Sequence, residues 1–198
     1  MDFEYSLEEE SENLEESHMN FCKYGDELKD EMAFSWNVMK SMGIVKGTDS
    51  ELREFINNGI TDLILHEVGH TLGLRHNFKA SSIYSPDQLS DINFTNKNGI
   101  SGSVMDYQPI NIFDKGKNFF QTKPGVYDIW AIQYGYSISN PNSRGSEYKL
   151  LNEIASKSTS KNLVYGTDED TFGTSSRGID PKSCAWDLSG DPKKYYKH

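Results

Sequence analysis

The run His66-Glu67-Val68-Gly69-His70-Thr71-Leu72-Gly73-Leu74-Arg75-His76 constrains this chain more than any other segment. Residues i and i+4 of a helix share a face about one turn apart. His66 and His70 can therefore hold one metal ion from a single rigid element. Glu67 lies beside that face, placed to meet a water at the metal rather than the metal itself. Gly73 tolerates a left-handed backbone, so the helix can end there and the chain can turn back to present His76. Three histidines leave the fourth corner of a tetrahedral zinc ion open, as in catalytic rather than closed structural sites. Of the five histidines only His18 and His198 lie outside this run. The extra glycine and third histidine make a chance match on the order of a thousandfold rarer than for two histidines alone.

The run resembles the extended zinc motif of the metzincin metalloproteases, with every required position matched. Ser103-Val104-Met105-Asp106-Tyr107 resembles the Met-turn of that clan, in which a methionine forms an apolar base beneath the zinc histidines. Met105 holds that place; simple core filling is its other reading. The tyrosine two residues later is similar to that of the astacin and serralysin branches. This makes Tyr107 a candidate oxyanion stabiliser, with a core tyrosine after a turn as the alternative. Tyr127 to Tyr136 resembles the helix that follows the Met-turn, with Pro124 suited to its first turn and Gly135 to its end. Together with Arg75–Ser81, Tyr165–Asp170, Ile179-Asp180-Pro181 and Trp186-Asp187-Leu188, these segments look like a large group of bacterial-type zinc-dependent metzincin-like proteases. The likeness spans roughly residues 20–196. It implies Zn2+ held by His66, His70 and His76, and a peptide or protein substrate. In that chemistry Glu67 takes a proton from the attacking water and returns it to the departing amine. The metal and the Tyr107 hydroxyl offset charge on the carbonyl oxygen.

The net charge of −10 argues against nucleic acid, whose phosphates demand basic patches. No apolar run approaches membrane-spanning length. Met1-Asp2-Phe3-Glu4 lacks the basic start and apolar stretch of a secretory signal. The residues leave the compartment open, although the resemblance makes an extracytoplasmic setting plausible. Cys22 and Cys184 permit one disulfide without establishing it. Asn20-Phe21-Cys22-Lys23-Tyr24 does not resemble the propeptide sequence by which matrixins block their zinc. An ordinary structural or free thiol is the expectation for Cys22.

Residues 1–17 read as a solvated acidic tail with the composition of disorder, 18–136 as the zinc core, and 137–198 as an extension of the same domain. Leu28, Met32, Met39 and Met42 predict an amphipathic helix over 26–42, closed by Gly43. Thr48-Asp49-Ser50-Glu51 has the capping-box pattern and opens the segment leading into the zinc helix. Asn57-Asn58-Gly59 is able to interrupt that segment, which would start the zinc helix proper near Ile60. The stretch between His76 and the Met-turn is rich in Ser, Asn and Asp and reads as a long loop, either wrapping the cleft or serving as plain surface. Residues 137–145 read as a connector to a short helix near 147–157. Asp168-Glu169-Asp170 offers hard oxygen ligands for calcium, but its spacing is not that of an EF-hand and favours a solvated acidic turn.

The expected fold is α+β, predominantly helical, with a metzincin-like core around the zinc helix and Met-turn. Metzincins carry a twisted sheet before that helix, and its edge strand binds the substrate. Here only Ile44-Val45 hints at a strand, so the upstream sheet reads as missing or reduced. The function expected is that of a zinc endopeptidase. The alternative is a non-catalytic zinc-binding module, or an inactive fragment lacking the upstream substrate-binding lobe of a longer protease. Hydrolysis of a non-peptide amide is also compatible with the motif. Intact Glu67 favours the enzyme, because a purely structural site has no use for a general base beside an open corner.

Overall fold

The computed structural model describes residues 22–113, 118–139, 145–172, 180–195 and 197. The acidic stretch 1–17, His18, Ile179 and His198 lie outside them. Two helices dominate, α1 (Tyr24–Ser41) and α2 (Asp49–Thr71). Shorter elements follow: α3 (Pro86–Leu89), α4 (Ile92–Asn98), α5 (Val126–Tyr136), α6 (Ser146–Ala155), α7 (Asp168–Thr171) and α8 (Pro192–Tyr195). Single 3-10 turns occupy Ala80–Ile83 and Ser156–Thr159. The predominantly helical expectation holds, and no strand forms among the described residues. Ile44-Val45 is not a strand. Both amides donate back to Met39 O, at 2.9 and 3.5 Å, so the pair belongs to the end of α1.

Both long helices end in the same way. Gly43, at φ +70°, donates to Lys40 O, and Ile44 donates to Met39 O. Gly73, at φ +86°, donates to His70 O, and Leu74 donates to Gly69 O. These paired bonds satisfy carbonyls that the last turn leaves free, and each needs a residue at ease with positive φ. Met42, expected in the apolar stripe of α1, is instead its exposed C-cap, while Leu28 and Met39 are buried. At the start of α2, Thr48 Oγ1 accepts from Glu51 N at 3.3 Å, and the Glu51 carboxylate accepts from Thr48 N at 3.0 Å.

Asn57-Asn58-Gly59 does not interrupt α2, which runs unbroken to Thr71. A side chain at Gly59 would meet Met32 at 2.6 Å and Phe120 at 3.2 Å. The packing of α1 and the 118–120 segment onto this point outweighs the roughly 1 kcal/mol propensity penalty of an internal glycine. The core beneath it gathers Tyr24, Leu28, Met39, Phe55, Phe78, Tyr107, Phe119 and Phe120.

The stretch between His76 and the Met-turn is not one loop. Its Ser and Asp residues cap short helices: Ser85 Oγ accepts from Gln88 N at 3.3 Å, and Asp91 Oδ1 from Asn93 N at 2.9 Å. Pro124 lies before α5 rather than in its first turn, where Gly125 is the N-cap; Gly135 lies inside the helix. The expected short helix after the connector is α6. No described helix is long and apolar enough to cross a membrane.

Candidate metal centre

The last two turns of α2 put His66 and His70 side by side, with ring centroids 4.8 Å apart. The glycine turn at residue 73 then brings His76 to 4.8 Å from His70 and 5.3 Å from His66. Every ring is tethered through Nδ1. His66 Nδ1 lies 2.7 Å from Val104 O, His70 Nδ1 3.0 Å from Leu74 O, and His76 Nδ1 2.8 Å from Asp168 Oδ1. Carbonyl and carboxylate oxygens only accept, so these partners assign the proton to Nδ1 and leave each Nε2 lone pair facing inward. His70 Nε2 and His76 Nε2 stand 3.2 Å apart. Two nitrogens each about 2.05 Å from one tetrahedral zinc would be about 3.3 Å apart. The donor set therefore fits such an ion in element, and the His70–His76 pair fits it in spacing.

The surroundings set the charge of these rings. Burial first, and then the neighbouring His70, pushes His66 down to about 3, which keeps it neutral and able to ligate. Burial opposes a charge on His76, but its hydrogen bonds and charge interactions with Asp168 and Cys22 together outweigh that and raise its pKa. For Asp168 burial is likewise the largest single influence, but the hydrogen bond and charge of His76 together with the bond from Thr167 outweigh it, and the carboxyl is held below its usual range.

A fourth donor stands with the histidines. Cys22 Sγ is 3.3 Å from His66 Nε2 and 3.3 Å from the Tyr107 hydroxyl. Its sulfur and one nitrogen from each histidine all lie within 4.8 Å of one another. The thiol is free, as expected, but it stands among the candidate ligands rather than apart from them. Nothing in the sequence marks a cysteine so far before the motif as a neighbour of it. Cys22 and Cys184 are both free thiols. Tyr107 is buried, and its hydroxyl accepts from Lys23 N at 3.1 Å. Burial, and then the bond with Cys22, raises its phenol well above the ordinary value, so it is a neutral donor.

Met105 is fully buried, and a side chain at Gly69 would run into its sulfur. The methionine thus packs against α2 between His66 and His70. The turn carrying it is pinned by Asp128 in the first turn of α5, which accepts from Val104 N at 2.8 Å and Gly125 N at 2.6 Å. Glu67 is exposed beside His66.

The acidic triplet is not a free turn. Asp168 holds His76, Glu169 takes both hydrogen bonds of Arg75 at 2.8 Å, and Asp170 accepts from Thr167 N at 2.9 Å. No local pattern in the sequence marks Asp168, Asp128 or Tyr24 for the site. Tyr24 is buried and lays its ring 4.5 Å from His66. The sequence model of a family described as Met-zincin matches residues 48–198 of the chain. No curated protein and no solved structure matches it.

Proposed function

Because this chain belongs to the Met-zincin family, whose name implies zinc, we propose that it is a zinc-dependent endopeptidase. The observation that carries the reading is the convergence of three Nε2 donors on one point, each ring fixed from behind through Nδ1. His66, His70 and His76 are the residues that would hold the ion. Zinc bound there supplies Lewis acidity, which polarises a carbonyl and acidifies water.

The remaining work falls to this chain's own side chains. Glu67, exposed and one residue from a ligand, accepts the proton of the attacking water and passes it to the leaving amine. Tyr107 carries a neutral hydroxyl at the edge of the cluster and donates it to the substrate's carbonyl oxygen as charge grows there. Met105 fixes the height of the turn under the helix. Asp168 holds His76 in the tautomer that can ligate.

The test is zinc content and peptide hydrolysis on one preparation, with Glu67→Gln beside it. The variant keeps the metal and loses on the order of 10²–10⁴ in turnover. Full turnover without the carboxylate would sink the assignment. A second reading, a zinc-binding module without catalysis, is favoured by one observation. Ile56, Ile60, Ile64, Val68 and Leu72 form an exposed apolar ridge along α2, and no described strand offers an edge for an extended peptide.

A further inference from the structure

Helix α5 carries one charged side chain, Asp128, and that one is buried against the turn of Met105. The exposed face of α5 is therefore uncharged, in a chain with 30 Asp and Glu and 20 Lys and Arg. On it Val126 is 38% exposed and Ile129 53%. These two and Trp130, whose Nε1 is tied to Ile154 O at 2.8 Å, form one wall of an open groove of about 450 Å³. Ligand sites run from roughly 300 to 1,000 Å³. The opposite wall is the stretch 157–162, whose path is held by Ser160 N on Lys157 O at 2.9 Å and Leu163 N on Ser160 O at 3.0 Å. There Lys157, Ser160 and Asn162 are exposed, and Lys157 is the one charged residue of the lining.

An apolar wall across from a polar wall with a single cation suits a ligand with an apolar side and one negative charge. We propose that the groove binds the carboxyl-terminal end of a peptide. Its last side chain, aliphatic or aromatic, lies against Val126, Ile129 and Trp130, and its free α-carboxylate meets the Lys157 ammonium and the Ser160 hydroxyl. Such charge-assisted hydrogen bonds are stronger than neutral ones. Gln133 and Asn162, one from each wall, offer donors and acceptors to a peptide backbone. A hydrocarbon tail would leave both amides unused. None of the candidate metal ligands lines the groove, so the assignment stands apart from the zinc reading.

The probe is a short N-acetylated peptide ending in leucine, titrated calorimetrically into the full chain beside the same peptide as its carboxyl-terminal amide. The acid binds roughly fivefold more tightly, the order expected of one solvent-exposed ion pair, and added salt narrows the gap. Lys157→Met binds both peptides as wild type binds the amide. Ile129→Asn, at a half-exposed position, weakens both alike. The indole N–H resonance of Trp130, identified by its loss in Trp130→Phe, moves as the acid binds. No binding at millimolar peptide overturns the proposal, as does a preference for the acid that survives in Lys157→Met. An unmoved Trp130 resonance puts the peptide elsewhere and overturns it too. Octanoate that binds as tightly as the acid, with the same dependence on Lys157, makes the ligand a fatty carboxylate and overturns the assignment to a peptide.

Discussion

His76 is the one histidine of the cluster that no helix carries, and a single carboxylate aims it. Asp168 Oδ1 lies 2.8 Å from His76 Nδ1, and the Asp168 charge strengthens the ring as a donor. Asp168→Asn keeps the shape and removes the charge. Metal affinity should fall roughly 10–100-fold, as a chromophoric chelator in competition would measure. Undiminished affinity would mean that Asp168 does not support the ligand. The three histidines were legible because their spacing is local and the helix repeat turns spacing into geometry. Asp168 was not. Three neighbouring acids read alike in sequence, yet each found a different partner, and only the folded path of the chain decides which meets His76. Cys22 was illegible for the same reason, since its approach to His66 depends on how α1 docks.

At the scale of elements, α2 is a rod with its cap at Thr48 and two candidate ligands, His66 and His70, in its last two turns. Its ends were readable from Thr48, Glu51 and Gly73, because capping is settled within a few residues. Its continuity through Gly59 was not, because that rests on Met32 and Phe120 arriving from elsewhere. Gly69 plays the matching part at the other end, where Met105 enters the space of a missing side chain. Gly69→Ala forces the helix and the methionine turn apart. Overpacking of this kind costs about 1–3 kcal/mol, which urea denaturation would register. An equally stable variant would show that Met105 does not bear on the helix there. The loops were least legible. Trp186 N bonds to Tyr107 O at 2.8 Å and Phe78 N to Gly166 O at 2.7 Å, pairings that no local pattern announces.

For the molecule as a whole, buried carboxyls give stability a pH dependence. Burial raises Asp62 to about 7 and Asp187 to about 6, against about 3.9 for an unfolded aspartate. A raised folded value makes the stabilising contribution complete below about pH 4 and loses it as pH climbs through about 7. His66 acts the other way, since its depressed value costs stability as pH falls below about 6.5. Asp62→Asn isolates one term, because His66 is common to both proteins. Relative to this variant, wild type should lose stability between about pH 4 and about pH 7, the span between the unfolded and folded values of Asp62. Parallel profiles would contradict the burial of a titrating carboxyl at that position. Tyr24, whose hydroxyl meets Asp62, also stacks on Tyr107 and Trp186 and lies against His66. Three distant stretches of chain thus meet on one aromatic ring, and that ring precedes residue 48, where the family match begins. The border drawn by similarity runs through the middle of a packed body. A gene trimmed to that border would encode α2 and its histidines with one wall of their chamber left behind.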